Sequence, residues 1–94
     1  MTLRFEWDQR MAASNFAKHG VSFEEATSVF KDTLSATLSD PDHSFSDSRF
    51  VDLGISYLGR LIVVSYVEGI SSIRIISARR ATRLEQNQYE NESG

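Results

Sequence analysis

Cysteine is absent from the 94 residues, which excludes a disulfide framework and a thiolate metal site and is compatible with a reducing compartment. Long hydrophobic runs are absent as well. The longest, Leu61 to Val64, falls far short of the ~18 residues that a membrane-spanning helix needs. Arg4, Glu6 and Asp8 interrupt the N-terminus before the apolar region of a signal peptide can form. A soluble cytoplasmic protein is therefore expected. The length suits one domain over residues 1–94, with 91–94 a frayed tail. There is no internal repeat or low-complexity segment.

Positive charge is in short supply overall: ten Lys and Arg stand against thirteen Asp and Glu, for a formal charge of -3. A nucleic-acid partner usually demands a basic surface. The total hides an uneven distribution, since residues 1–19 carry +1, 20–48 carry -5, 49–83 carry +4 and 84–94 carry -3. The basic stretch contains Arg49, Arg60, Arg74, Arg79, Arg80 and Arg83. Local field rather than net charge decides whether an anion binds, and the run "IRIISARRAT" from Ile73 to Thr82 sends an apolar strand into two adjacent arginines that repel each other unless an anion joins them.

Asp8 is placed to cap a helix from Gln9 to His19 that stops at Gly20, with Lys18 and His19 in the last turn, where the dipole favours positive charge. "SFEE", Ser22 to Glu25, matches a capping box and opens a short second helix whose Phe23, Ala26, Thr27 and Phe30 share one face. Glu24 and Glu25 are read as capping and dipole residues. From Leu34 the period changes to two, with Leu34, Ala36 and Leu38 alternating with Ser35, Thr37 and Ser39. The only proline lies in a loop, Ser39 to Ser48. Strands are then expected over Arg49–Leu58, Leu61–Glu68 and Ser72–Ala78, joined by tight turns, and a last helix over Arg80–Glu90 with Thr82 and Glu85 as a capping pair.

This outline predicts an α+β fold with two N-terminal helices, a four-stranded, mainly antiparallel sheet containing a meander, and a C-terminal helix. If Ile73 and Ile75 point into the core, Arg74 points away, and Arg79 and Arg80 fall where strand gives way to helix. Parity on the neighbouring strand groups Arg60 with Ile62, Val64 and Tyr66. Arg60, Tyr66 and the Arg79/Arg80 pair can thus border one groove, subject to a register that sequence does not set.

The blocks "FEWD", "NFAKHGVSFEEA" (Asn15–Ala26), "DPDHS" (Asp40–Ser44), "RF" (Arg49, Phe50), "GRLIVVSY" (Gly59–Tyr66) and "RIISARRAT" (Arg74–Thr82) resemble, in order and over almost the whole chain, the BrnT family of toxins from BrnT/BrnA type II toxin–antitoxin systems. The resemblance implies a compact fold similar to the RelE ribonucleases, cleavage of RNA that stops translation, and a BrnA-like antitoxin. That antitoxin is a small DNA-binding dimer expected to carry two toxins and to repress its own operon. The chain departs from the family where Gln9 and Met11 replace a common proline and lysine, and where the last helix, "RLEQNQYENE" from Arg83 to Glu92, is acidic.

Metal-independent RNA cleavage proceeds by attack of the ribose 2′-hydroxyl on the adjacent phosphate. It needs a proton acceptor, a donor for the leaving 5′-oxygen, and cations for the charge that builds on the phosphate. Arg79 and Arg80, supported by Arg60, suit the last task because guanidinium forks onto two phosphate oxygens; the alternative is an ion-pair network with Glu85 or Glu90. His19 and His43 are the histidines available for proton transfer, His19 otherwise being a helix-end residue and His43 a solvated loop residue. Lys18, Arg49 and Arg74 are candidate RNA contacts. Trp7 can stack on a base or pack in the core, and Tyr66 can assist at the phosphate or serve as packing. No cofactor is expected: "DPDH" offers hard ligands, but no second cluster completes a metal site. The competing reading is a binding module, in which the same basic patch docks the antitoxin and catalysis is weak or lost.

Overall fold

The computed structural model describes residues 4–38 and 49–93. The chain runs β1 (Arg4–Glu6), α1 (Gln9–His19), α2 (Phe23–Ser28), a 3-10 turn (Val29–Lys31), β2 (Ala36–Leu38), β3 (Arg49–Ile55), β4 (Leu61–Glu68), β5 (Ser72–Arg80) and α3 (Arg83–Ser93). The α+β class and the meander of β3, β4 and β5 agree with the sequence reading. The sheet has five strands rather than four, in the order β1-β5-β4-β3-β2. The added strand is the segment before Trp7: Phe5 pairs with Ile73 across a parallel β1–β5 ladder, a partner nearly seventy residues away that local pattern does not reveal.

Local chemistry accounts for the helix ends. The Asp8 carboxylate accepts from the amides of Arg10 and Met11 at 2.8 and 3.1 Å, and Gly20 takes the left-handed cap at φ 69 that a side chain would strain. Ser22 caps α2 by accepting from the Glu25 amide at 3.0 Å. The reciprocal half of that capping box is missing, because the Glu25 carboxylate turns inward. Thr82 and Glu85 do complete one: the Thr82 amide donates to Glu85 Oε1 at 2.8 Å and the Glu85 amide to Thr82 Oγ1 at 3.2 Å. This box fixes the start of α3 at Arg83, so β5 extends two residues past Ala78 to Arg80. The β3–β4 turn closes with Ser56 N–H on the Arg60 carbonyl and Gly59 N–H on the Ser56 carbonyl, Gly59 supplying the positive φ of 77 that this loop requires.

The main core lies between the sheet and the two N-terminal helices: Val21, Phe23, Ala26 and Val29 pack on Ile62, Val64, Tyr66, Ile73, Ile75 and Ala78. Thr27, expected on the core face of α2, is half-buried and Val29 is buried in its stead. Leu34 lies outside β2 and is exposed. One irregularity in β5 sets the directions of its arginines. Ser65 pairs with Ser77 but Tyr66 pairs with Ile75, leaving Ile76 as an extra residue on β5. Simple alternation from Ile73 and Ile75 carries Arg79 to the core side. With the bulge, Ala78 and Arg80 take that side, opposite Val64 and Ile62, and Arg79 falls on the other, opposite Val63.

Candidate functional site

The fold divides the candidate residues between two ends of the sheet. Arg60 precedes β4 and Arg80 ends β5, and the two line one cavity of about 290 Å³ with Ile55, Leu61 and, from α3, Gln86, Tyr89 and Glu90. Arg49, Arg74 and Tyr66 lie at the far end, where Arg49 and Arg74 flank Val67 and Tyr66 sits opposite Phe50. β3 spans seven residues, so the two ends are roughly 20 Å apart. Arg60, Tyr66 and the arginine pair therefore do not border a common groove.

Arg60 is held from three directions. Its Nε donates to Glu25 Oε2 at 2.9 Å, its Nη2 bonds Glu25 Oε1, and Nη2 also donates to the Gly20 carbonyl at 3.1 Å. Ser56 Oγ adds a third donor to Glu25 at 2.7 Å. Glu25 is only 1% exposed. Burial raises its carboxyl pKa, but the bonds from Arg60 and Ser56, with the charges of Arg60 and Arg80, outweigh that and hold it below its ordinary value. The Glu25 bonds in turn push the Arg60 guanidinium further up. Glu25 is thus a site-building residue that the capping-box reading missed, because the partner lies 35 residues along the chain. Arg60 carries the end of α1 with it: Gly20 follows His19 directly, so the bond to its carbonyl ties the turn bearing Lys18 and His19 to the arginine cavity.

Arg79 and Arg80 have different surroundings. Arg79 forks onto Glu85 with two bonds of 2.8 Å. The bonds from Arg79, reinforced by the Thr82 cap, bring the Glu85 carboxyl down to about 2 against the opposition of burial. Arg80 is exposed and acts on Glu25 through its charge, and among the described residues its side chain makes no ion pair.

Lys18 and His19 line a second, shallower groove of about 360 Å³ between α1 and β5, together with Arg10, Met11, Ser14, Asn15, Ile76 and Ser77. Asn15 builds its floor. This buried amide donates to the carbonyls of Val21 and Ala78 at 2.9 and 2.8 Å and accepts from the Ala78 amide at 3.1 Å, acting as a strand partner for β5 beyond the reach of β1. Sequence reading passed over it. Its signal was a polar residue on the inward stripe of α1.

The remaining candidates are in structural settings. Trp7 is half-buried and meets Phe23 edge-on at 5.9 Å between centroids. Tyr66 is buried and its hydroxyl donates to Asp52 at 3.0 Å, where Thr37 also donates at 2.8 Å. Burial raises the Asp52 carboxyl despite those two bonds, and burial beside Asp52 pushes the Tyr66 hydroxyl well above its usual value. Arg74 is exposed, 3.9 Å from Glu6, and Arg49 is half-buried. His43 and the "DPDHS" block lie outside the described residues. Among the described residues no three His, Asp or Glu side chains group to hold a metal ion, and no helix is long and apolar enough to cross a membrane.

A family model described as "Ribonuclease toxin, BrnT, of type II toxin-antitoxin system" matches residues 7–85. The fold is similar to the 1.1 Å crystal structure of the Brucella abortus ribonuclease toxin BrnT, with a TM-score of 0.68, 21% sequence identity, and coverage of 87% of this chain and all of that one. At that identity the likeness is one of fold. No curated protein matches the chain.

Proposed function

The chain belongs to the BrnT family of ribonuclease toxins of type II toxin–antitoxin systems, and from that premise we propose that it cleaves RNA without a metal at the end of the sheet where Arg80, Arg60 and the α1 terminus meet. The carrying observation is the shared cavity of Arg60 and Arg80, in which Arg60 is committed to Glu25 while Arg80 is left to an anion. In this reading Arg80 takes two oxygens of the scissile phosphate and stabilises the charge that develops as the 2′-hydroxyl attacks. Arg60 is a positioning residue, holding Gly20 at the end of α1, next in sequence to His19 of the α1–β5 groove. His19 accepts the 2′-hydroxyl proton or supplies one to the departing 5′-oxygen, and Lys18 contacts a neighbouring phosphate. Arg79, spent on Glu85, belongs to the frame of α3.

On this reading the protein acts in the cytoplasm, where its cleavage of RNA stops translation. The antitoxin that a type II system supplies is, on this reading, a BrnA-like DNA-binding dimer carrying two toxins and covering the same end of the sheet. A second reading, a weak or silent nuclease kept as a binding module, is favoured by one observation: Glu90 of the acidic α3 lines the arginine cavity and competes with phosphate.

The test is cleavage of a defined RNA in the presence of a chelator. The expected products carry 2′,3′-cyclic phosphate and 5′-hydroxyl ends, and a substrate lacking the 2′-hydroxyl at the cut site stays whole. Cleavage of that 2′-deoxy substrate, or strict dependence on added magnesium, would overturn the mechanism. Intact RNA at stoichiometric folded protein would establish the second reading.

A further inference from the structure

The groove between α1 and β5 is lined by Arg10, Lys18 and His19 and by no carboxylate, in a chain whose formal charge is -3. Two adjacent rows of α1 face it at i, i+4, i+8 spacing: Arg10, Ser14 and Lys18 in one, Met11, Asn15 and His19 in the other. We propose that this groove is the substrate track, binding the phosphodiester backbone of single-stranded RNA beyond the scissile phosphate. The inference rests on the reading of the arginine cavity as the cleavage site and extends it.

Three features support the track. Its cations are exposed on one straight ridge, Arg10 to Lys18 covering about 12 Å of helix, more than a single nucleotide needs. Asn15 is consumed by Val21 and Ala78, so the floor of the groove presents no orphaned polar group and the charged rim is left for a ligand. The bulge at Ile76 sets an aliphatic side chain on the β5 wall across from Met11, which gives unstacked bases an apolar surface while the rim takes their phosphates. Gly20, which follows the Lys18–His19 end of the groove in the chain, accepts from Arg60 of the arginine cavity. The surface beyond the cavity in the other direction is α3, with Glu90 in the cavity wall and no basic residue in its last turn, so a polyanion leaving the cavity has a favourable path along α1 and an unfavourable one along α3.

The experiment compares wild type with Arg10→Glu, a change at an exposed position beyond the Asp8 cap. Binding of a 2′-O-methyl RNA decamer, which resists cleavage, is measured by fluorescence anisotropy at several salt concentrations, and cleavage of a dinucleotide is measured alongside. Arg10→Glu is expected to bind the decamer about ten-fold more weakly at low salt, with a shallower salt dependence, and to cut the dinucleotide, which is too short to reach Arg10, at the wild-type rate. Unchanged decamer affinity overturns the track, as does a wild type that does not bind the decamer at low salt. Unchanged decamer affinity with loss of antitoxin binding assigns the groove to the protein partner and also overturns it. Failure of the cleavage-site reading looks different: Arg80→Ala then cuts the dinucleotide normally, whatever Arg10→Glu does.

Discussion

Among the described residues two arginine–glutamate forks hold the fold, and they differ in where the carboxylate sits. Glu25 lies in the core at 1% exposure and receives Arg60 and Ser56. Glu85, its side chain 17% exposed, opens α3 and receives Arg79. The chemistry is the same, but a buried carboxylate that loses its arginine has no water to turn to, whereas one partly open to solvent does. The inner fork therefore holds the fold and the geometry of the cavity, and the outer fork trims the end of a helix. Arg80, the neighbour of Arg79 in sequence and of Arg60 in the cavity lining, makes no ion pair among the described residues.

Breaking the inner fork is expected to have the largest effect. Arg60→Ala leaves Glu25 buried and charged, and should lower unfolding free energy by about 3 kcal/mol in urea titrations. Adding Glu25→Gln should recover part of the loss, and a double-mutant cycle showing no coupling would mean that the fork is not the reason.

Breaking the outer fork should cost less. Glu85→Gln removes a capping carboxylate and a half-exposed ion pair, for about 1 kcal/mol at neutral pH. The pH dependence has a definite sign. The folded carboxyl sits at about 2, below the ordinary 4.5, so its contribution is complete above the unfolded value and is lost as pH falls toward the folded one. The stability difference between wild type and Glu85→Gln should thus hold at pH 6 and shrink between pH 5 and 2. A difference that grows on acidification would contradict the assignment.

The smallest expected effect sharpens the comparison from the side of the cavity. Glu90→Gln removes the carboxylate in its wall and should raise RNA cleavage two- to five-fold, about 0.4–1 kcal/mol of relieved competition. No increase, with the fold unchanged, would remove Glu90 from any role in restraining the enzyme.

The features legible in the sequence are those set by neighbours along the chain. Asp8, Gly20 and Ser22 bound the first two helices as their residue types suggest, and tight turns with alternating strands made the meander readable. The missed features depend on register or on distant partners. Pairing of Phe5 with Ile73 joins the chain's start to its last strand. The fork of Glu25 and Arg60 was hidden because Glu25 also fits a capping box, and a local role was sufficient for it until the fold turned its carboxylate inward. The bulge at Ile76 has no strong local signature, yet it decides which of two adjacent arginines faces the cavity. The residue types of the candidate site were visible; their division between the two ends of the sheet was not.

That division gives the most direct test, since Arg79 and Arg80 are chemically identical neighbours assigned to different tasks. RNA cleavage by Arg80→Ala and Arg79→Ala, each confirmed to be folded, should separate them. Arg80→Ala is expected to lose about a hundred-fold or more in rate, the scale of removing a donor that stabilises transition-state charge, while Arg79→Ala keeps a rate close to wild type and loses a little stability. Full activity in Arg80→Ala with a dead, folded Arg79→Ala would contradict the assignment of the two arginines.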